Sequence, residues 1–179
     1  TGDAFIKSLE KTGVRVNIHQ VDNGITGECL VLITPDHERT MYTHLGVSSQ
    51  LNIEDINQGV IKDSEYLLVE GYLVTSEETM NVASYSMDIA TKHGVKKIIT
   101  LSDPNVVKFF RDNILELLNK TFDIIFCNKQ EALNVSKSNN IDDAIDFLKK
   151  YAHEIIITCG EDGAYVTIGS EKFHEIPDS

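Results

Sequence analysis

An α/β fold, a three-layer sandwich around a mostly parallel central sheet, is what the sequence predicts, on two observations. Short apolar runs at 66–69, 98–101, 123–127 and 155–158 alternate with amphipathic stretches of helical period, which is the pattern of βαβ units. Ahead of them, a region of strand period from Val14 to about Thr43 reads as a β-hairpin flanked by a further strand. Right-handed crossovers between the apolar strands make their sheet mostly parallel, with helices on both faces.

Each element has its own signal. Phe5, Ile6 and Leu9 share one helical face and Gly13 follows Lys11 as a stop, so a short helix opens the chain. Val14, Val16 and Ile18 then alternate with Arg15, Asn17 and His19 as in a strand. An apolar run at 29–33, the turn residues Pro35, Asp36, His37 and Glu38, and a strand from Arg39 make a β-hairpin. After the run at 66–69, Thr75 and Glu78 have capping-box spacing ahead of a helix that reaches His93 and stops at Gly94. Asp103 and Pro104 supply an N-cap and an N1 proline for one helix carrying Val107, Phe110, Ile114 and Leu118. Helices follow Asn128 and Asn140, and the segments 164–168 and 172–176 read as an antiparallel meander.

Composition narrows the function. The 179 residues are 41% apolar and 25% charged, the balance of a soluble globular domain large enough to bury a core without metal or disulfide staples. With 16 Lys and Arg against 28 Asp and Glu, the net charge of −12 repels phosphate backbones and anionic headgroups. Neither a nucleic-acid nor a membrane partner is expected. Cys29, Cys127 and Cys159 form no C-x-x-C pair and read as small buried hydrophobes in a reducing compartment, and no basic-then-apolar leader is present, so a cytoplasmic location is expected. His37, His153 and His174 each precede a Glu, a spacing that fits a solvated surface better than a metal site. Neither a G-x-S-x-G elbow nor a cysteine-nucleophile motif supports a hydrolase.

Ligands of open parallel sheets sit beyond the carboxyl ends of the strands. The residues there are Glu70-Gly71, Ser102 to Asn105, Asn128 to Glu131 and Cys159 to Gly163, a polar rim rich in carboxylates. Such a rim suits a ligand bearing Mg²⁺, a hard cation that takes oxygen ligands and keeps several waters. Asn128 and Glu131 have two readings: a capping box, or a helix N-terminus that faces phosphate while Glu131 orients the Mg²⁺ hydration shell. The run from Thr158 to Gly163 leads from strand to strand, so it is neither a Rossmann fingerprint nor a Walker loop. Its glycines serve either an ordinary hairpin or a close backbone approach to a ligand.

Taken in order, these segments resemble the ribokinase-like PfkB family of sugar and nucleoside kinases over essentially the whole chain. The string from Thr26 to Ser48 is similar to the family's β-lid, SDPN at 102–105 to its D-x-N segment, NKQE at 128–131 to its N-x-x-E motif, and TCGEDG at 158–163 to its T-x-G-x-x-G nucleotide segment. The resemblance implies Mg-ATP-dependent phosphoryl transfer to a primary hydroxyl of a sugar or nucleoside. It implies that Asn128 and Glu131 serve Mg²⁺ and phosphate positioning, with Glu131 on the metal side. Thr158, Gly160 and Gly163 would hold ATP, Asp103 and Asn105 would line the phosphate side, and Arg39 in the lid would reach the acceptor or its phosphate.

The family's D-T-x-G-A-G-D segment, whose last Asp is the general base, is absent from the 179 residues, as is the N-terminal acceptor-binding segment. The chain therefore reads as part of a longer enzyme, with its catalytic residue unassigned. The alternative is a non-catalytic nucleotide-binding or dimerisation module, the lid strands offering edges for a homodimer. A dinucleotide oxidoreductase is disfavoured, because no G-x-G-x-x-G follows any strand.

Overall fold

Residues 2–18, 20, 21, 23–36 and 39–177 are described by a computed structural model, in two units, Thr1–Asn57 and Gln58–Ser179. In the first unit, α1 (Gly2–Lys11) ends as expected, with the amides of Thr12 and Gly13 bonded back to Leu9 and Glu10. The alternation at 14–18 does not produce a strand. The small sheet contains only β1 (Glu28–Ile33) and β2 (Arg39–His44) among the described residues, so residues 14–18 have no ladder partner there. His19 lies outside the described residues, as do His37 and Glu38 of the predicted turn. β1 and β2 pair antiparallel from Glu28↔His44 to Ile33↔Arg39, and every residue of both is exposed. A 3-10 turn at Ile53–Asp55 follows, started by a capping box between Asn52 and Asp55.

The second unit opens with α2 (Gln58–Lys62), β3 (Tyr66–Glu70) and α3 (Glu77–His93). The cap of α3 is Ser76, one residue beyond the predicted Thr75. Ser76 Oγ accepts the Thr79 amide, whereas Thr75 Oγ1 donates to Tyr72 O within the preceding 3-10 turn. β4 (Lys96–Thr100) leads to the Asp103 cap and to α4 (Pro104–Phe109) and α5 (Arg111–Leu118). The single predicted helix is thus two, broken at Phe110 (φ −117°, ψ 30°). The apolar period hides the break because Val107 and Ile114, on either side of it, are both fully buried. β5 (Phe122–Asn128), α6 (Lys129–Ser136), α7 (Ile141–Leu148), β6 (Ala152–Thr158), β7 (Ala164–Ile168) and β8 (Glu171–Glu175) complete the unit.

The six strands lie in the order β3-β4-β5-β6-β7-β8, the first four parallel and the last two joined antiparallel. Because consecutive parallel strands are neighbours, right-handed crossovers carry every connecting helix to the same face. Burial agrees with this: Val69, Ile99, Ile125, Cys127, Ile155 and Ile157 are buried with Met87, Leu117 and Leu148 of the helices. Alternate positions form the other face, where Leu68 is 57% and Phe126 38% exposed. The α/β class, the mostly parallel sheet and the separate small sheet are as predicted. Within the second unit, the connecting helices cover one face of the sheet.

Ile125 has no exposed surface and sits in a central strand, so Ile125→Ala removes about 2–5 kcal/mol from the unfolding free energy. Phe109→Ala, at a side chain 72% exposed, changes it by about 0.5 kcal/mol or less. Urea denaturation of the two variants measures the contrast.

Candidate functional site

The parallel register brings the predicted segments together. Asn128, last residue of β5, is the partner of Thr158, last residue of β6, and Leu101, just past β4, donates its amide to Phe126 O at 3.0 Å. The segments after β4, β5 and β6 therefore share the carboxyl edge of one sheet. Arg39 belongs to the other unit, exposed at the start of β2 opposite Ile33.

Asn128 starts α6 in the conformation of an N-cap (φ −88°, ψ 171°), and the capping-box reading is realised in full. Its Oδ1 accepts the Glu131 amide at 2.8 Å, its amide donates to Glu131 Oε2 at 2.9 Å, and its Nδ2 donates to Oε1 at 2.8 Å. Glu131 is 3% exposed. Burial, first of all, pushes its carboxyl above the ordinary 4.5; the Asn128 amide pulls it down and the charge of Asp103 pushes it further up.

The phosphate-facing reading remains compatible with these bonds, because each Glu131 oxygen keeps a lone pair beyond the one it uses on Asn128. Among the described residues no group of three or more His, Cys, Asp or Glu could hold a metal. One buried carboxylate beside a carboxamide does not make an all-protein cage for calcium or zinc. The pair is compatible with Mg²⁺, which keeps waters and takes phosphate oxygens; Glu131 would meet such a cation through those waters.

Asp103 is occupied as the N-cap of α4: Oδ1 accepts the amides of Asn105 at 2.7 Å and Val106 at 3.3 Å. Asn105 itself is exposed. The loop after Thr158 is a 3-10 turn at Gly160–Asp162, closed by the Cys159 amide on Gly163 O at 2.7 Å. Since β6 and β7 pair across it, the hairpin reading holds. Its two glycines have different reasons. Gly163 (φ 86°) is buried, and a Cβ there would run into Glu175 O, so hairpin packing alone requires it. Gly160 (φ 60°) is exposed with nothing within 4 Å of a would-be Cβ, which leaves the backbone open to a ligand.

Two participants escape the motif reading. Lys129 Nζ bridges to Asp162 Oδ2 at 3.4 Å, tying the first turn of α6 to the glycine loop. Ser102 holds a left-handed conformation (φ 71°) just past β4, and its Oγ accepts the Gly71 amide at 2.8 Å, joining the ends of β3 and β4. A positive φ at serine has no sequence signal. Cys127 and Cys159 flank the cluster as free thiols, both pushed up chiefly by burial, which makes them poor nucleophiles. No helix of the described residues is long and apolar enough to cross a membrane.

An α/β sheet with this strand order, a separate two-stranded sheet and glycine-loop and helix-cap segments on one edge has the architecture of the ribokinase-like kinases. The chain belongs to the pfkB family of carbohydrate kinases, whose family profile matches residues 1–178. Among solved structures it is similar to the adenosine kinase from Sinorhizobium meliloti at 30% identity and a TM-score of 0.93, covering 99% of this chain and 55% of that one. A probable sugar kinase from Rhizobium etli CFN 42 matches at 28% identity and a TM-score of 0.93, with the same coverages of 99% and 55%. A putative ribokinase II from E. coli, in complex with ATP and Mg²⁺, shares the fold at 19% identity and a TM-score of 0.88, over 99% of this chain and 59% of that one. The chain thus spans little more than half the length of these structures. Comparison with curated proteins gave no match.

Two outcomes follow from the Asn128–Glu131 pair. Asn128→Ala leaves the Glu131 amide without its cap and costs about 0.5–2 kcal/mol in urea denaturation. A carboxyl raised above its unfolded value of 4.5 contributes stability that is complete below that pH and is lost as pH rises through the folded value. Glu131→Gln lacks this titration. The stability of the unmodified protein relative to Glu131→Gln therefore falls as pH rises through the carboxylate range and then levels off, which denaturation at pH 4 to 8 measures.

Proposed function

We propose that this chain is the nucleotide-contacting and lid-bearing part of a ribokinase-like kinase that transfers phosphate from ATP to a primary hydroxyl of a sugar or nucleoside. The observation that carries the reading is the pairing of Asn128 with Thr158, which sets the N-x-x-E and T-x-G-x-x-G segments side by side on one sheet edge. When bound, Mg-ATP supplies the phosphoryl group and the cation that neutralises its charge. The remaining work is positioning.

Asn128 and Glu131 hold each other rigidly through three hydrogen bonds, so the Glu131 carboxylate is fixed before any ligand arrives. In this reading that carboxylate orients the waters of the Mg²⁺ shell, while Thr158 and the open backbone at Gly160 receive the nucleotide. Gly163 acts on ATP through the shape of the loop. Asp103 serves the phosphate side indirectly, through its cap of α4, and places Asn105 beside it. The exposed hairpin with Arg39 is the lid that meets the acceptor and excludes water. No residue of this chain is assigned as the general base. Dimerisation through the lid strands belongs to the same proposal.

Transfer of ³²P from ATP by the full-length protein to a panel containing adenosine, ribose and fructose tests the activity. Glu131→Gln is expected to raise the Mg²⁺ concentration for half-maximal rate by about 10–100-fold, since it changes a group bonded to the metal's waters. A protein that neither binds ATP nor labels any acceptor overturns the reading. Binding without labelling favours the non-catalytic nucleotide module.

A further inference from the structure

The chain carries 16 Lys and Arg within a net charge of −12, so unpaired cations gathered in one place stand against the mean field. An open cavity of about 410 Å³ between α4, α5 and α6 gathers three of them, Lys108, Arg111 and Lys137, and no carboxylate lines it. None of the three has an ion-pair partner among the described residues. Asn105, on the phosphate side in the reading above, lines it as well, so the cavity adjoins that site, whereas Asn128, Glu131, Thr158 and Gly160 are not part of its lining.

The cavity is held in shape by bonds that leave its donors free. Arg111 is half-buried, and its Nε donates to Val135 O at 2.8 Å, which sets the plane of the guanidinium and leaves the terminal nitrogens unengaged. Asn134, also half-buried, donates through Nδ2 to Pro104 O at 3.0 Å and accepts from Gln130 Nε2 at 2.8 Å. This ties the walls contributed by α4 and α6 together. Lys137 ends α6 in a left-handed conformation (φ 56°), a place that helices usually give to Gly or Asn.

A fixed guanidinium fork with two lysines and no competing carboxylate matches a phosphate group, whose oxygens accept paired N–H bonds and whose charge the cluster neutralises. We propose that this cavity binds the phosphate group of a small molecule, beside the strand-end cluster described above. The phosphate comes either from the tail of a nucleotide or from a second phosphorylated molecule, and the chemistry of recognition is the same for both.

Calorimetric titration of the full-length protein with inorganic phosphate and with pyrophosphate at low ionic strength tests the site. Saturable binding is expected, weakened at least 10-fold by Lys108→Ala combined with Lys137→Ala. Both lysines are exposed, so the melting temperature without ligand stays unchanged. Arg111→Lys keeps the charge, loses the fork and weakens binding as well. Repeating the titration with a saturating non-hydrolysable ATP analogue separates the sources: persistence assigns the site to a second molecule, and displacement assigns it to the nucleotide's own phosphates. No saturable binding, or equal affinity in the double variant, overturns the proposal. Uptake of pyrophosphate without uptake of the nucleotide analogue leaves this site standing and overturns the kinase reading instead.

Discussion

Asn128 is at once the last residue of β5, the register partner of Thr158 and the N-cap of α6. Three constraints meet in that one residue, and the rest of the candidate site depends on them. The ladder fixes the separation of the two motif-bearing strands, the cap fixes where the helix begins, and the return bonds from Asn128 to Glu131 fix a carboxylate inside the fold. Slippage of β5 by one residue would reverse its side chains between faces and carry Asn128 away from the helix start. Stability and site geometry are therefore the same arrangement here. The helix would need its cap whatever bound beside it.

Strand order extends the same logic to the sheet. Consecutive parallel neighbours send the connecting helices to one face and all the strand-to-helix turns to one edge. Any phosphate at that edge would have to overcome the protein's negative field, with backbone amides, caps and a few local cations as the means available. Lys108, Arg111 and Lys137, gathered between α4, α5 and α6, are a local exception to the acidic average, whereas Lys129 is bridged to Asp162 across the glycine loop. The opposite face of the sheet keeps Leu68 and Phe126 exposed among the described residues.

Much of this is legible in the sequence. The parallel strands, the caps at Asp103, Asn128 and Asn140, the stop at Gly94 and the hairpin at 28–44 all follow from local period and local hydrogen bonding. The misreadings share a cause as well. At 14–18 the alternation of a strand is present without a partner to bond it. At Phe110 an uninterrupted apolar face conceals a break, and the cap of α3 moves by one residue because Thr75 is engaged in a preceding turn. In each case the hydrophobic period carries no information about backbone hydrogen bonding, which decides whether a strand, a continuous helix or a cap forms.

Residue types alone determined the class of fold, the acidic character and the motifs that could face a phosphate, because periodicity and capping are properties of neighbours in sequence. Which motifs meet was decided by tertiary structure: the pairing of Asn128 with Thr158, the burial that raises the Glu131 carboxyl, the left-handed Ser102, and the gathering of Lys108, Arg111 and Lys137 around one cavity. Each joins residues from different elements, and no local pattern can specify a distance that only strand register and helix packing set.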